Sequence, residues 1–328
     1  MIVDSHGRSI NYLRLAVTDR CNLRCRYCMP EKGLDWLPRK ELMTFEEMFR
    51  LCSLFVEMGG NKIRITGGEP FLRKDLMAFL TRVSCIDGLE ELSITTNGLR
   101  IAAMIPELKA IGIHAVNLSL DTLDKDRFIQ ITRRDGLDHV LQTLDTLLAH
   151  GIEVKINTVV MANRNTDDII PLVKLADQLP VSVRFIEEMP FNGGSHSVAL
   201  TWDHRRIYQH IEQHFPTVAE MPTLPHATAT RYKIPGHQGD IGIIAAYTRL
   251  FCGSCNRIRV TPTGMLRACL YDNGTLNIKD AMRNGATDEE LTRMVKQAVG
   301  NKEIDGWAAE KRILGAHDAH TSMATIGG

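Results

Sequence analysis

Between Thr18 and Pro30 the chain reads TDRCNLRCRYCMP, with cysteines at 21, 25 and 28. The spacing i, i+4, i+7 would also fit one face of an α-helix. Two neighbours argue for a loop instead. The run YLRLAV at 12–17 just before it has the pattern of a strand, and Pro30 limits any helix across Cys28. A packed stripe would favour Leu or Ile, whereas the reactivity of cysteine usually decides where it is kept. Three thiols following a strand end therefore read as ligands of a soft metal. A structural zinc takes four protein ligands, and a cubane iron–sulfur cluster normally takes four cysteines, so three would leave one iron open.

Outward from this stretch, β-branched runs alternate with amphipathic ones. Strands are expected at 12–17, 62–66, 91–95, 115–120, 154–160 and 182–187. Helices are expected near 74–84, 101–111, 137–150 and 166–177. A further helix starts at Thr44, where Thr44 and Glu47 form a capping-box signature, and ends at Gly59–Gly60. Repeated strand–helix units imply a parallel sheet, and six of them suggest a partial or complete β/α barrel, with a doubly wound sheet as the alternative. The pattern breaks after Glu187–His196, placing a boundary near 190: a barrel unit at 1–190 and an α+β unit at 191–328.

Chain length, 328 residues, suits this, and 44% hydrophobic with 24% charged residues is ordinary globular composition. Lys plus Arg equal Asp plus Glu at 39 each, which disfavours a nucleic-acid partner. No stretch has the length of a membrane span or the apolar run of a secretory leader, so a cytoplasmic location and no membrane partner are expected. Eight cysteines in such a chain argue for metal or redox chemistry rather than disulfides. Cys52 and Cys85 fall in helical patterns and read as core. Cys252, Cys255 and Cys269 form a second group, C-x2-C-x13-C, again without a fourth cysteine. A zinc site there would have to recruit the distant His317 or His320.

Four expected strands carry one cation between apolar residues: Arg14, Arg64, Lys155 and Arg184. Alternation aims the apolar neighbours at the helices and the cation into the barrel. Arg257 and Arg259 add two more beside the second cysteine group. Buried cations are costly unless paired. Either acids such as Glu69, Asp121 or Glu187 neutralise them, or an anionic substrate does, and arginine's fork suits a polyphosphate.

The C-x3-C-x2-C motif with Tyr27 before its last cysteine, followed by GGEP at 67–70, resembles the radical S-adenosylmethionine (SAM) enzymes. Together with TTNG (95–98), NLSLD (117–121), RFIEEM (184–189), FCGSCNRIRV (251–260) and a terminal Gly-Gly, the chain is similar from end to end to the MoaA-type GTP 3′,8-cyclases of molybdenum-cofactor biosynthesis. The resemblance implies a (β/α)6 radical SAM barrel closed by a C-terminal α+β domain. It implies two [4Fe–4S] clusters, on Cys21, Cys25 and Cys28 and on Cys252, Cys255 and Cys269, with SAM on the first and the guanine of GTP on the second. SAM contacts carried over are Tyr27, Gly68, Ser119 and Met189. GTP contacts are Arg14, Arg64, Thr95 (with Thr96 adjacent), Lys155, Arg257 and Arg259, and the role of Arg184 stays open. No side chain is assigned as catalytic, with Arg257, Arg259, Gly327 and Gly328 as supports. The implied partners are an electron donor such as flavodoxin or ferredoxin and the enzyme MoaC, which receives the product, with the chain a monomer or homodimer. The alternatives are a radical SAM enzyme acting on a peptide, with the second cluster as electron relay, and a non-enzymatic metal sensor.

Overall fold

The structure, a computed structural model, describes residues 1–192, 200–223, 225–274, 276–313 and 322–327. Six parallel strands, β1 (Tyr12–Ala16), β2 (Lys62–Thr66), β3 (Glu91–Thr96), β4 (Ala115–Ser119), β5 (Glu153–Val160) and β6 (Val181–Glu187), lie side by side in chain order. Each matches an expected run to within a residue at either end.

Helices connect them. In α1 (Phe45–Glu57) the Thr44 hydroxyl accepts from the Glu47 backbone N–H while the Glu47 carboxylate accepts from Thr44 N–H, the reciprocal capping box. After α2 (Leu76–Ser84) and α3 (Ile105–Ala110), two helices rather than one join β4 to β5: α4 (Lys125–Thr132) and α5 (Leu137–Ala149). Helix α4 shows little apolar periodicity, for it is short and mostly polar and buries only Phe128, Ile131 and Thr132. The connection to β6 is α6 (Ile169–Gln178). Between helices and sheet lies one core, to which β1 and β2 contribute Leu13, Leu15, Ile63 and Ile65, all inaccessible. Cys52 belongs to it. Cys85 does not: it caps the C-terminus of α2, where the chain turns outward, and is exposed.

Past residue 200 come α7 (His204–His214), β7 (Ala219–Glu220), β8 (Thr230–Lys233), β9 (Asp240–Ile244), β10 (Arg257–Val260), β11 (Met265–Arg267) and β12 (Leu276–Asn277). Two of these strands extend the parallel sheet, β9 beside β6 and β10 beside β1. Eight parallel strands thus run β10-β1-β2-β3-β4-β5-β6-β9, edged by antiparallel β11–β12 on one side and β8–β7 on the other. The two edges do not hydrogen-bond to each other, so the barrel is partial. The later part of the chain therefore supplies sheet strands to both edges as well as cover. Sequence pattern hides this, because RIRV and DIGII are short and enclosed by Gly, Asn, Thr and Pro.

Register decides which side chains meet inside the barrel. Tyr12 stands level with Lys62 on one side and Arg257 on the other, and Arg14 level with Arg64 and Arg259. Since alternate residues face opposite ways, and Leu13 and Leu15 occupy the helix-facing core, Tyr12 and Arg14 point inward. The sheet's outer layer carries the stability. Phe185 on β6 is fully buried, and Phe185→Ala should cost about 3–5 kcal/mol, read as a lower urea midpoint at unchanged slope.

Candidate active site

A cavity opens at the C-terminal ends of the parallel strands, where β/α folds place their sites. The Cys21–Cys28 loop leaves β1 and is not helical: the backbone N–H groups of Cys28 and Met29 both donate to Cys25 O in a turn. Helix α4, unforeseen from sequence, is its anchor. Arg24 N–H donates to Thr132 O, Arg26 N–H to Ile131 O, and the Arg133 guanidinium to Arg24 O and Met29 O. The Tyr27 hydroxyl donates to Asp121 Oδ2 (3.0 Å) at the end of β4, whose Oδ1 accepts from Val159 N–H (2.8 Å). Burial raises the Asp121 carboxyl to about 7 despite these donors.

The GGEP turn after β2 grips the same loop. Gly68 N–H donates to Thr18 O and Glu69 N–H to Arg20 O, both at 2.7 Å. A Cβ on Gly68 would stand 2.3 Å from Arg20 O, and one on Gly67 (φ +154°) 2.6 Å from Thr18 O. The two glycines thus permit close approach of the chain's own cysteine loop. Glu69 is buried and accepts from Thr96 Oγ1, Asn97 N–H and Phe71 N–H. Burial raises its carboxyl to about 7. With its hydroxyl held by Glu69, Thr96 is committed to the turn. Thr95 also lines the cavity and is level with Asn117.

The cations meet here. Arg14, Arg64, Arg184, Arg257 and Arg259 all line the cavity, and none makes an ion pair among the described residues. The acids that might have neutralised them are engaged elsewhere: Glu69 in its turn, Asp121 with Tyr27 and Val159, and Glu187 with the N–H groups of His204, Tyr247 and Thr248. Burial, then repulsion from Arg14 and Arg257, holds Arg259 well below its usual range, and Arg64 falls to about 10 through burial and its neighbours Arg14, Arg184 and Arg257. Among the described residues, Nε of Arg14 and of Arg184 has no hydrogen-bond partner. Lys155 differs. It is not a cavity-lining residue and pairs with Glu153 Oε1 at 2.8 Å.

The second cysteine group closes the opposite end. Cys252 and Cys255 precede β10 and Cys269 follows antiparallel β11, so all three fall near the level of Arg257, toward the start of β1. The cations therefore lie between the two groups. Arg257 places Nε and Nη2 each 3.4 Å from Cys255 Sγ. Buried Lys302, which no sequence signal marked, donates to Arg257 O and Ala268 O. Burial would push the Cys255 thiol up, but Arg257 and Lys302 more than offset it and bring it to about 6. In the first group burial dominates, pushing Cys21 to about 11 and Cys28 to about 12.

The end of the chain enters the same space. Ser322 Oγ donates to Cys28 O at 2.6 Å, Met323 N–H to Phe191 O, and Arg259 Nη1 to Gly327 O at 2.9 Å. Gly327 has φ +89°, and a Cβ there would meet Thr66 Oγ1 at 2.6 Å and Ala16 Cβ at 2.7 Å. Gly328, His317 and His320 lie outside the described residues. Tyr27, Gly68, Ser119 and Met189 all line the cavity.

Among the described residues no three His, Cys, Asp or Glu side chains are grouped to hold a single metal ion. One zinc would draw its thiolates to within about 4 Å of one another, given Zn–S near 2.3 Å, whereas a four-iron cluster spreads them over different irons. Two sets of three half-buried thiols, one on a strapped loop and one beside cations, fit clusters.

Residues 15–176 match the Radical SAM superfamily profile and residues 181–306 the Molybdenum Cofactor Synthesis C profile. A GTP 3′,8-cyclase of Syntrophomonas wolfei is 39% identical over 95% of this chain and 98% of its own. The mouse molybdenum cofactor biosynthesis protein 1 is 41% identical over 92% of this chain but only 48% of its own, so the chain spans about half the length of such animal relatives. The crystal structure of Streptococcus suis SuiB bound to S-adenosylmethionine has the same fold, with TM-score 0.61 at 15% identity over 88% of this chain and 68% of that one. Among the described residues no helix is long and apolar enough to cross a membrane.

The fit of Gly68 against Arg20 O can be tested directly. Gly68→Ala should displace the first cysteine loop, and iron bound on anaerobic reconstitution should fall from about eight to about four per chain with the circular dichroism spectrum unchanged. Full iron loading would show that the contact is dispensable.

Proposed function

Because the chain belongs to the radical SAM family of GTP 3′,8-cyclases, we propose that it joins C3′ of the ribose of GTP to C8 of the guanine, giving 3′,8-cyclo-7,8-dihydro-GTP for molybdopterin synthesis. The observation that carries this reading is the set of five cavity guanidiniums without a carboxylate partner, which calls for a polyanion. A peptide without several acidic residues would give no reason for such a charge, whereas a triphosphate does.

Cys21, Cys25 and Cys28 would hold one [4Fe–4S] cluster and Cys252, Cys255 and Cys269 the other. When bound, the first cluster and SAM together supply a 5′-deoxyadenosyl radical able to remove the ribose 3′ hydrogen. The protein's part is placement and shielding. Tyr27, Gly68, Ser119 and Met189 would bound the SAM side. Arg14, Arg64, Arg257 and Arg259 would hold the triphosphate, with bidentate forks fixing the ribose relative to SAM. Thr95, whose neighbour Thr96 is committed to Glu69, would contact the nucleotide, and Arg184 joins the cationic set. Lys155 would take part on release from Glu153. The tail, through Gly327, would close the cavity against water and competing C–H bonds, with Gly328 as a further candidate support.

The same proposal takes 1–190 and 191–328 as the two units of the chain. It also includes a flavodoxin- or ferredoxin-type electron donor, transfer of product to a MoaC-type enzyme, a monomer or homodimer and a cytoplasmic location.

Anaerobic incubation of the reconstituted protein with reductant, SAM and GTP should yield 5′-deoxyadenosine and one cyclised nucleotide. Absence of both sinks the reading. Arg64→Ala, at a side chain whose hydrogen bond runs to Ser93 Oγ and not to a cysteine, should weaken GTP binding about tenfold or more, as loss of a charge-assisted contact of about 1.5–3 kcal/mol requires, while iron content stays the same. Unchanged GTP affinity would remove the cations from the site.

A further inference from the structure

Beneath the guanidiniums lies a buried phenol that does not itself line the cavity. Tyr12, the first residue of β1, is buried, and its hydroxyl makes no regular hydrogen bond among the described residues, although the Arg14 guanidinium approaches it. The ring is surrounded by cations: Lys62 Nζ lies 5.2 Å from its centroid, the Arg64 guanidinium carbon 5.4 Å and that of Arg14 5.9 Å. Register explains the grouping. Lys62 and Arg257 flank Tyr12 on the neighbouring strands, while Arg14 is two residues on along the same inward face. The charged groups around it are Arg14 from β1, Lys62 and Arg64 from β2, Arg257 from β10 and Arg184 from β6, with Glu91 of β3 held by Lys62. The phenol is thus an ionisable oxygen, free of any regular hydrogen bond, inside a cationic chamber whose carboxylates are all engaged.

We propose that Tyr12 is a positioning residue for the polyphosphate, its ring face holding Arg14 and Arg64 and its hydroxyl acting as an exchangeable counter-charge that takes up a proton when a polyphosphate arrives. The proposal rests on the polyphosphate reading of the cavity. Burial alone would push the phenol up, but Arg64, Arg14 and Lys62 more than offset it and bring it down to about 8. A bound polyphosphate neutralises those cations, so the phenol's affinity for its proton rises again. Binding then takes up one proton from the buffer, which converts Tyr–O⁻ to Tyr–OH. Below the free-state value the phenol is already neutral and binding is insensitive to pH. Above it each pH unit should weaken binding by up to about tenfold, the slope of one linked proton. In both forms the ring face keeps Arg14 and Arg64 aligned by cation–π attraction.

The test is calorimetric titration of the anaerobically reconstituted holoenzyme with GTP, and in parallel with inorganic triphosphate. It is run between about pH 7.5 and 9.5, above the phosphate's own titration near pH 6, in two buffers of different ionisation enthalpy. Wild type should take up a proton on binding, and its Kd should rise about tenfold per unit above about pH 8. Tyr12→Phe, which keeps the ring, should show no such uptake and a flat profile across this range. Tyr12→Ala should bind weakly at every pH, because the arginines lose their platform. Identical proton uptake and pH profiles in wild type and Tyr12→Phe overturn the proposal. If GTP fails to bind but triphosphate binds with the Tyr12-dependent uptake, the counter-charge role stands and the GTP reading falls. If neither anion binds the wild type, both fall.

Discussion

An excess of positive charge that the fold itself does not cancel governs this molecule. Arg14, Arg64, Arg184, Arg257 and Arg259 share one cavity, and no described carboxylate pairs with them. Such an arrangement costs stability. It persists because parallel register forces the residues together: Arg14 cannot pair with β2 and β10 without lying level with Arg64 and Arg259. The outer, apolar half of each strand sustains the sheet against that repulsion. Partial relief comes from Arg257 facing Cys255 and from the Gly327 carbonyl accepting from Arg259.

The two cysteine groups are built by different physics. The first sits on a loop strapped to the end of α4 and to the GGEP turn, where burial pushes the Cys28 thiol up and metal has to displace its proton. The second sits against Arg257 and Lys302, which favour thiolate at Cys255 before any metal arrives. One site is fixed by backbone geometry and the other by charge.

Much of the fold is legible in the residues alone. Six strands are visible from β-branched runs, α1 from its capping box, and the inward cations from single charges inside apolar triplets. What escapes depends on partners distant in sequence. Helix α4 buries too little to show a period. The RIRV run reads as part of a cysteine motif until its pairing with β1 is known. Cys85 follows a helical pattern yet caps the helix end and faces solvent. Lys155 looks identical to Arg14 and Arg64, but Glu153 two residues earlier claims its ammonium. Lys302 carries no local signal, because its two acceptors come from other parts of the chain.

Borrowing both outer parallel strands from the later part of the chain has a consequence for how the protein comes into being. As the chain is synthesised, β1 and β6 present open edges until Asp240–Ile244 and Arg257–Val260 have been made. Exposed edges of this kind invite wrong pairing, and the contacts that close them are far apart in sequence and slow to form. The cavity walls are completed only then, when Arg257 and Arg259 come level with Tyr12 and Arg14 of β1. Enclosure of the cavity thus waits on strands that are made after the six forming its first wall.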